Sequence, residues 1–130
     1  MGFTSAIPQN YFEGLSVGGV AGAAAAREQL DALLLPGETV AFAVGGDDGA
    51  ALFTDRRLII STEAGLLNRR RMVRVIARSA IGAFSIDVEN VVNLTLLGKD
   101  FGTAQLLMDK GFDPIKLSQW LSQPMTASPI

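Results

Sequence analysis

Seven short stretches of alternating apolar and polar residues, about ten residues apart, are followed by one amphipathic helical segment, and this order constrains the fold more than any other feature. The first stretch, residues 39–44, places Phe42 between Val40 and Val44 at alternate positions. Gly45-Gly46-Asp47-Asp48-Gly49 then reads as a turn, because Gly and Asp tolerate the backbone angles that turns need. Residues 50–54 and 57–61 are two more strands around Asp55, whose side chain is expected to cap the turn. A loop containing Gly65 follows, and residues 71–78 form a longer strand with Val73 and Val75 on one face. In residues 81–89, Phe84, Ile86 and Val88 alternate with Ser85, Asp87 and Glu89. Val92, Leu94 and Leu96 repeat the pattern, as do Ala104, Leu106 and Met108. Strand side chains point alternately to opposite faces, so each stretch can bury one side. The set predicts a sandwich or barrel.

Beyond Met108 the period lengthens. Asp113 is placed to cap a helix N-terminus, and Pro114 suits the first helical position. Phe112 and Leu117 have the spacing of a hydrophobic staple. Leu117, Trp120 and Leu121 form the apolar stripe, with Trp120 as the core anchor, and Pro124 is expected to end the helix. Upstream, residues 1–14 read as irregular and residues 20–35 as helical. Leu30, Leu33 and Leu34 share a face there, and Pro36-Gly37 is the stop. Gly18, Gly19 and Gly22 weaken the helix start by about 1 kcal/mol each relative to Ala, yet they let another backbone approach closely. The expected organisation is an N-terminal arm with a helix (1–37), a β-rich domain (38–122) and a tail (123–130).

Composition excludes several chemistries. Neither cysteine nor histidine occurs among the 130 residues. Disulfides, thiolate nucleophiles, Cys/His zinc sites and His-based triads are therefore ruled out. No nucleophile–base pair stands out, so no catalytic, cofactor-binding or metal-ligating residue is assigned, and a non-enzyme is expected. The absence of cysteine suits the cytoplasm. The most apolar stretch, Leu15–Ala26, is well short of the roughly 20 residues of a membrane span. A net charge of −2 disfavours nucleic acid and makes attraction to a membrane surface weak.

Three local sequences resemble the bacterial pleckstrin-homology (PH)-like family. Phe53-Thr54-Asp55-Arg56-Arg57-Leu58-Ile59-Ile60 is similar to its "FT-(D/N)-(K/R)-R-L-I" signature. Ile81-Gly82-Ala83-Phe84-Ser85-Ile86-Asp87 is similar to its "I-x-x-F-S-(I/V)-(D/E)" strand, and Pro36-Gly37-Glu38 to the "(E/P)-G-E" that leads into its first strand. The resemblance implies a mainly β fold with some helix. It is a seven-stranded bent sandwich or barrel, capped by the C-terminal helix and preceded by an N-terminal one. It also implies a binding or assembly module whose cellular role is unassigned, one that forms homo-oligomers, rings among them. Phosphoinositide-binding PH domains grip phosphates with a basic loop between their first two strands. Here the matching loop carries Asp47 and Asp48, which argues against that site.

The basic residues point elsewhere. Seven of the eleven lie between Arg56 and Arg78. In a strand, Arg70, Arg74 and Arg78 would share one face at about 13 Å intervals, with Met72 and Ile76 between them. Arg69, Arg70, Arg71, Met72, Arg74, Ile76 and Arg78 are therefore the candidate contact residues. An arginine and apolar mixture suits a protein interface, covered either by the chain's own arm or by a second copy. The leading expectation is a self-associating scaffold module, with room for an unidentified protein partner. The alternative is a binder of anionic lipid headgroups or another polyanion through the same region.

Overall fold

In a computed structural model, the backbone is described for residues 10–64 and 70–126. Eight strands and two α-helices follow one another: β1 (Asn10–Gly18), α1 (Ala23–Leu30), β2 (Val40–Gly45), β3 (Gly49–Thr54), β4 (Arg57–Ala64), β5 (Arg70–Ala77), β6 (Ala83–Val88), β7 (Val91–Gly98), β8 (Gly102–Asp109) and α2 (Pro114–Thr126). They build two four-stranded sheets, ordered β2-β3-β4-β5 and β1-β8-β7-β6. Five pairings between consecutive strands are antiparallel, with Leu58 opposite Ile76 and Leu94 opposite Leu106.

The seven predicted strands are all present, and an eighth precedes them. Residues 10–18, the first five of them expected to be irregular, form β1, which pairs parallel to β8 with Leu15 opposite Leu106 and Ser16 opposite Leu107. Its alternation is concealed by irregularity. The register shifts between Phe12 and Leu15, and Gly14 sits there at φ 62°. A bulge breaks the period of two, which is the signal that reveals strands in sequence. The arm is therefore part of the sandwich.

Between the sheets lies the main core. Phe53, Leu58 and Ile60 meet Leu94, Leu96 and Leu106, all fully buried. The helix α2 closes one end, where Leu117, Trp120 and Leu121 join that core. Asp113 Oδ1 accepts from the Ile115 amide at 2.9 Å, which is the expected cap. A second, smaller core sits on the outer side of the β2–β5 sheet. There Ala26 and Leu30 of α1 cover Ala43, Ala50, Leu52 and Ile59.

Helix α1 is shorter than expected and is flanked by 3₁₀ turns at Val20–Gly22 and Asp31–Leu33. The α period thus stops at Leu30, and Leu33 is 44% exposed instead of sharing the buried face of Leu30. The glycines before α1 do what small residues permit. Gly19 and Gly45 exchange backbone hydrogen bonds at 2.9 and 3.0 Å. A Cβ on Gly22 would lie 2.2 Å from the Gly45 carbonyl oxygen. The arm packs on its own domain, backbone to backbone.

Candidate functional site

The β5 strand is one edge of its sheet, and its phase differs from the sequence expectation. Ile76, expected on the outward face, is 3% exposed and belongs to the main core opposite Leu58. Met72 and Arg74 share its side and are half-buried, with Arg74 Nη1 donating to Thr62 Oγ1 at 3.0 Å. The outward face instead carries Arg71, Val73 and Val75, and each valine is 44% exposed. Both faces of this strand hold apolar residues, so alternation alone leaves the phase open. Pairing with β4, whose Leu58 and Ile60 must face the core, decides it.

The arginines consequently separate. Arg70 is exposed. Arg71 is held by its own domain: Nη1 donates to Ser61 Oγ at 2.9 Å and Nη2 to Glu63 Oε2 at 3.3 Å. Gln29 of α1, its amide oxygen turned toward the guanidinium, also accepts from Arg71 Nη1 at 2.8 Å. Arg69 lies outside the described residues.

Arg78 leaves the ridge altogether. The strand ends at Ala77, and a 3₁₀ turn over Arg78–Ala80 directs Arg78 beneath α2. Its side chain is 9% exposed and lies 4.6 Å from the Trp120 ring centre. Nη1 donates to the Asp55 carbonyl at 3.0 Å, and Nη2 to the Trp120 carbonyl at 2.7 Å and to Gln123 Oε1. Burial lowers its pKa, an effect partly offset by the Asp55 carboxylate. This contact also explains why α2 runs on to Thr126, past the expected stop at Pro124. Proline has no N–H, so the Trp120 carbonyl four residues earlier loses its helical donor. Arg78 supplies the missing one.

A polar knot ties the two most family-like segments together. The Glu38 carboxylate accepts from Arg57 Nε at 2.9 Å, Arg57 Nη2 at 3.0 Å, Thr54 Oγ1 at 2.6 Å and the Leu35 amide at 2.9 Å. Arg57 foremost, aided by the Leu35 amide and Thr54, outweighs desolvation and lowers the Glu38 pKa to about 2. The same bonds raise that of Arg57. The β3–β4 turn is capped by Thr54, whose Oγ1 accepts from the Arg56 and Arg57 amides at 3.1 and 2.9 Å. Asp55, the expected cap, reaches across instead and accepts from the Thr39 amide at 3.0 Å. The signature residues Thr54, Asp55 and Arg57 therefore hold the fold. Sequence reading missed Glu38 as a buried partner, although its place next to the Pro-Gly turn was visible.

At the opposite end, Asp47 and Asp48 are exposed on the β2–β3 turn, which the Gly46 amide closes by donating to the Gly49 carbonyl at 2.9 Å. Gly18, Gly19 and Gly22 pack against the base of this turn at Gly45. A loop with two carboxylates and its flank covered lacks the cationic grip of a phosphoinositide site. Among the described residues no helix is long and apolar enough to cross a membrane, and no group of three or more Asp, Glu, His or Cys could hold a metal ion.

No family model and no curated protein matches the sequence. Solved structures do match in shape. A DUF1696 family protein with a pleckstrin-homology domain from Shewanella loihica superposes with a TM-score of 0.62 at 18% identity, over 78% of this chain and 91% of its own. A pleckstrin homology domain from Shewanella amazonensis superposes with a TM-score of 0.58 at 18% identity, over 75% and 92%. Two four-stranded sheets closed by a C-terminal helix, together with these likenesses, give this chain the fold of the bacterial pleckstrin-homology domains.

Proposed function

We propose that the protein is a non-catalytic cytoplasmic interaction module that assembles with copies of itself, the β5 edge of one copy meeting the β6 edge of the next. The observation that carries this reading is the β5 edge: outward Val73 and Val75, each 44% exposed, on a strand with no further strand beside it among the described residues. An edge of this kind offers backbone donors and acceptors as well as apolar surface. The β6 edge has the complementary charge. Exposed Asp87 lies on it and Glu89 in the turn after it, against exposed Arg70 and Arg71 on β5. Charge complementarity of this sort selects partner and register more than it adds affinity. Two different patches in contact make a head-to-tail interface, which closes into a ring when the rotation per copy allows.

The polyanion alternative has weaker support. Arg71 is engaged within its own domain, Arg78 is buried, and two aspartates occupy the loop where PH domains place their basic grip. Size-exclusion chromatography with light scattering tests the assembly reading. The unaltered chain is expected to be oligomeric at micromolar concentration, and Val75→Glu, on an exposed position, to be a folded monomer. An unaltered chain that runs as a monomer overturns it.

A further inference from the structure

Between the start of β2, the β3–β4 turn and α2 lies a pocket of about 300 Å³. Arg78 and Lys116 supply two cations to its lining, Asp55 supplies one anion, and Phe42 and Trp120 form an apolar wall. That volume is at the lower end of small-molecule sites.

Half-buried Arg57 and buried Arg78 are neutralised very differently. Arg57 has the Glu38 carboxylate in a two-pronged pair. Arg78, nine-tenths buried, has three neutral oxygens, those of Asp55, Trp120 and Gln123, and its Nε has no hydrogen-bond partner. No carboxylate of the described residues lies within ion-pair distance of it. A desolvated cation strongly favours a charged oxygen over a neutral one. The Asp55 carboxylate offsets part of the charge, but one of its oxygens is committed to the Thr39 amide. The pocket therefore keeps a net charge of one positive unit. On the exposed side, the oxygen on Nη2 comes from Gln123, itself an exposed residue, so a ligand oxygen can take its place.

We propose that this pocket binds a small organic anion, a carboxylate or a phosphate ester with a short apolar body. One oxygen replaces Gln123 Oε1 on Arg78, Lys116 faces the same group, and the body lies on Phe42 and Trp120. The site is at the α2 end of the sandwich, away from the acidic β2–β3 turn, and none of its lining residues belongs to β5 or β6, so it stands whether or not the chain self-associates.

The only tryptophan of the chain lines this pocket, and its Nε1 donates to the Thr54 carbonyl at 2.8 Å. Its indole N–H resonance is a local reporter. The full chain is titrated with phenyl phosphate and separately with butyrate at constant ionic strength, followed by ¹⁵N–¹H NMR. Saturable shifts of the Trp120 indole and of the amides of residues 116–123 are expected with at least one of the two, and which one saturates identifies the anion class. Lys116→Glu, at an exposed helix position, should weaken binding about tenfold by reversing a charge beside the anion. Gln123→Glu should place a carboxylate on Arg78, abolish binding and raise the melting temperature. Shifts that grow linearly with both probes to millimolar concentrations, or affinities unchanged in both variants, overturn the proposal.

Discussion

Glu38→Gln should unfold this domain more readily than any exposed substitution, because it removes charge from the polar knot while keeping its shape. Four donors converge on the carboxylate, from Leu35, Thr54 and twice from Arg57. An amide accepts through one atom only, so its NH₂ must face donors on the other side. Two hydrogen bonds are lost, and Arg57 keeps a charge without a partner. Removing one member of a buried pair costs about 3–5 kcal/mol, and the Arg57 side chain retains 19% exposure, which favours the lower figure, about 3 kcal/mol. For a domain of this size that is a fall in melting temperature of roughly 10 °C. Urea denaturation followed by circular dichroism measures it. The midpoint should fall with an unchanged slope, since the same surface is exposed on unfolding. The double variant Glu38→Gln/Arg57→Met should lose at least about 1 kcal/mol less than the sum of the single losses. A single loss below about 1 kcal/mol, or strict additivity, would refute the claim that this pair holds the β2 start to the β3–β4 turn.

Three further outcomes are expected. Glu38 titrates near 4.5 when unfolded and about 2 when folded, so its stabilising effect is complete above pH 4.5 and is lost as pH falls toward 2; Arg57→Met should flatten that part of the pH–stability curve. Arg78→Met should cost about 2 kcal/mol by leaving the Trp120 carbonyl without a donor, and Pro124→Ala, which returns an N–H to the helix, should recover part of that loss in the variant while adding little to the unaltered chain, as read by urea midpoints. Gly22→Ala should cost about 2 kcal/mol or more, because its Cβ would meet Gly45 backbone, whereas Gly111→Ala, with open space around it, should shift the melting temperature by less than the equivalent of about 0.5 kcal/mol.

The domain was legible wherever local period and tertiary burial agree. Strands such as β7, with Val92, Leu94 and Leu96 inward, show a clean alternation because one face meets the core and the other meets solvent. The same holds for α2, where the cap at Asp113 and the stripe through Trp120 are both local signals. Legibility failed where long-range contacts decide. The β1 strand is a bulged parallel edge, and its partner β8 lies far along the chain. In β5, valines occupy one face and Ile76 the other, so only the register with β4 reveals which is inside. Arg78 was grouped with Arg70 and Arg74 by spacing, but the strand ends one residue before it. Extending α2 past Pro124 required that same arginine, a contact across 42 positions in sequence. The polar knot is also non-local, joining Glu38 to Arg57 across 19 positions.

Charge reversal with complementation tests the assembly most directly. One chain carries Arg70→Glu and Arg71→Glu on the β5 edge, and another carries Asp87→Lys and Glu89→Lys at the β6 edge. Each alone sets like charges against each other and should be a folded monomer by circular dichroism and light scattering. Mixed in equal amounts, they present only opposite charges at every contact and should form alternating oligomers of the mass given by the unaltered chain. Variants that remain oligomeric alone, or a mixture that stays monomeric while the unaltered chain assembles, would contradict a β5-to-β6 contact.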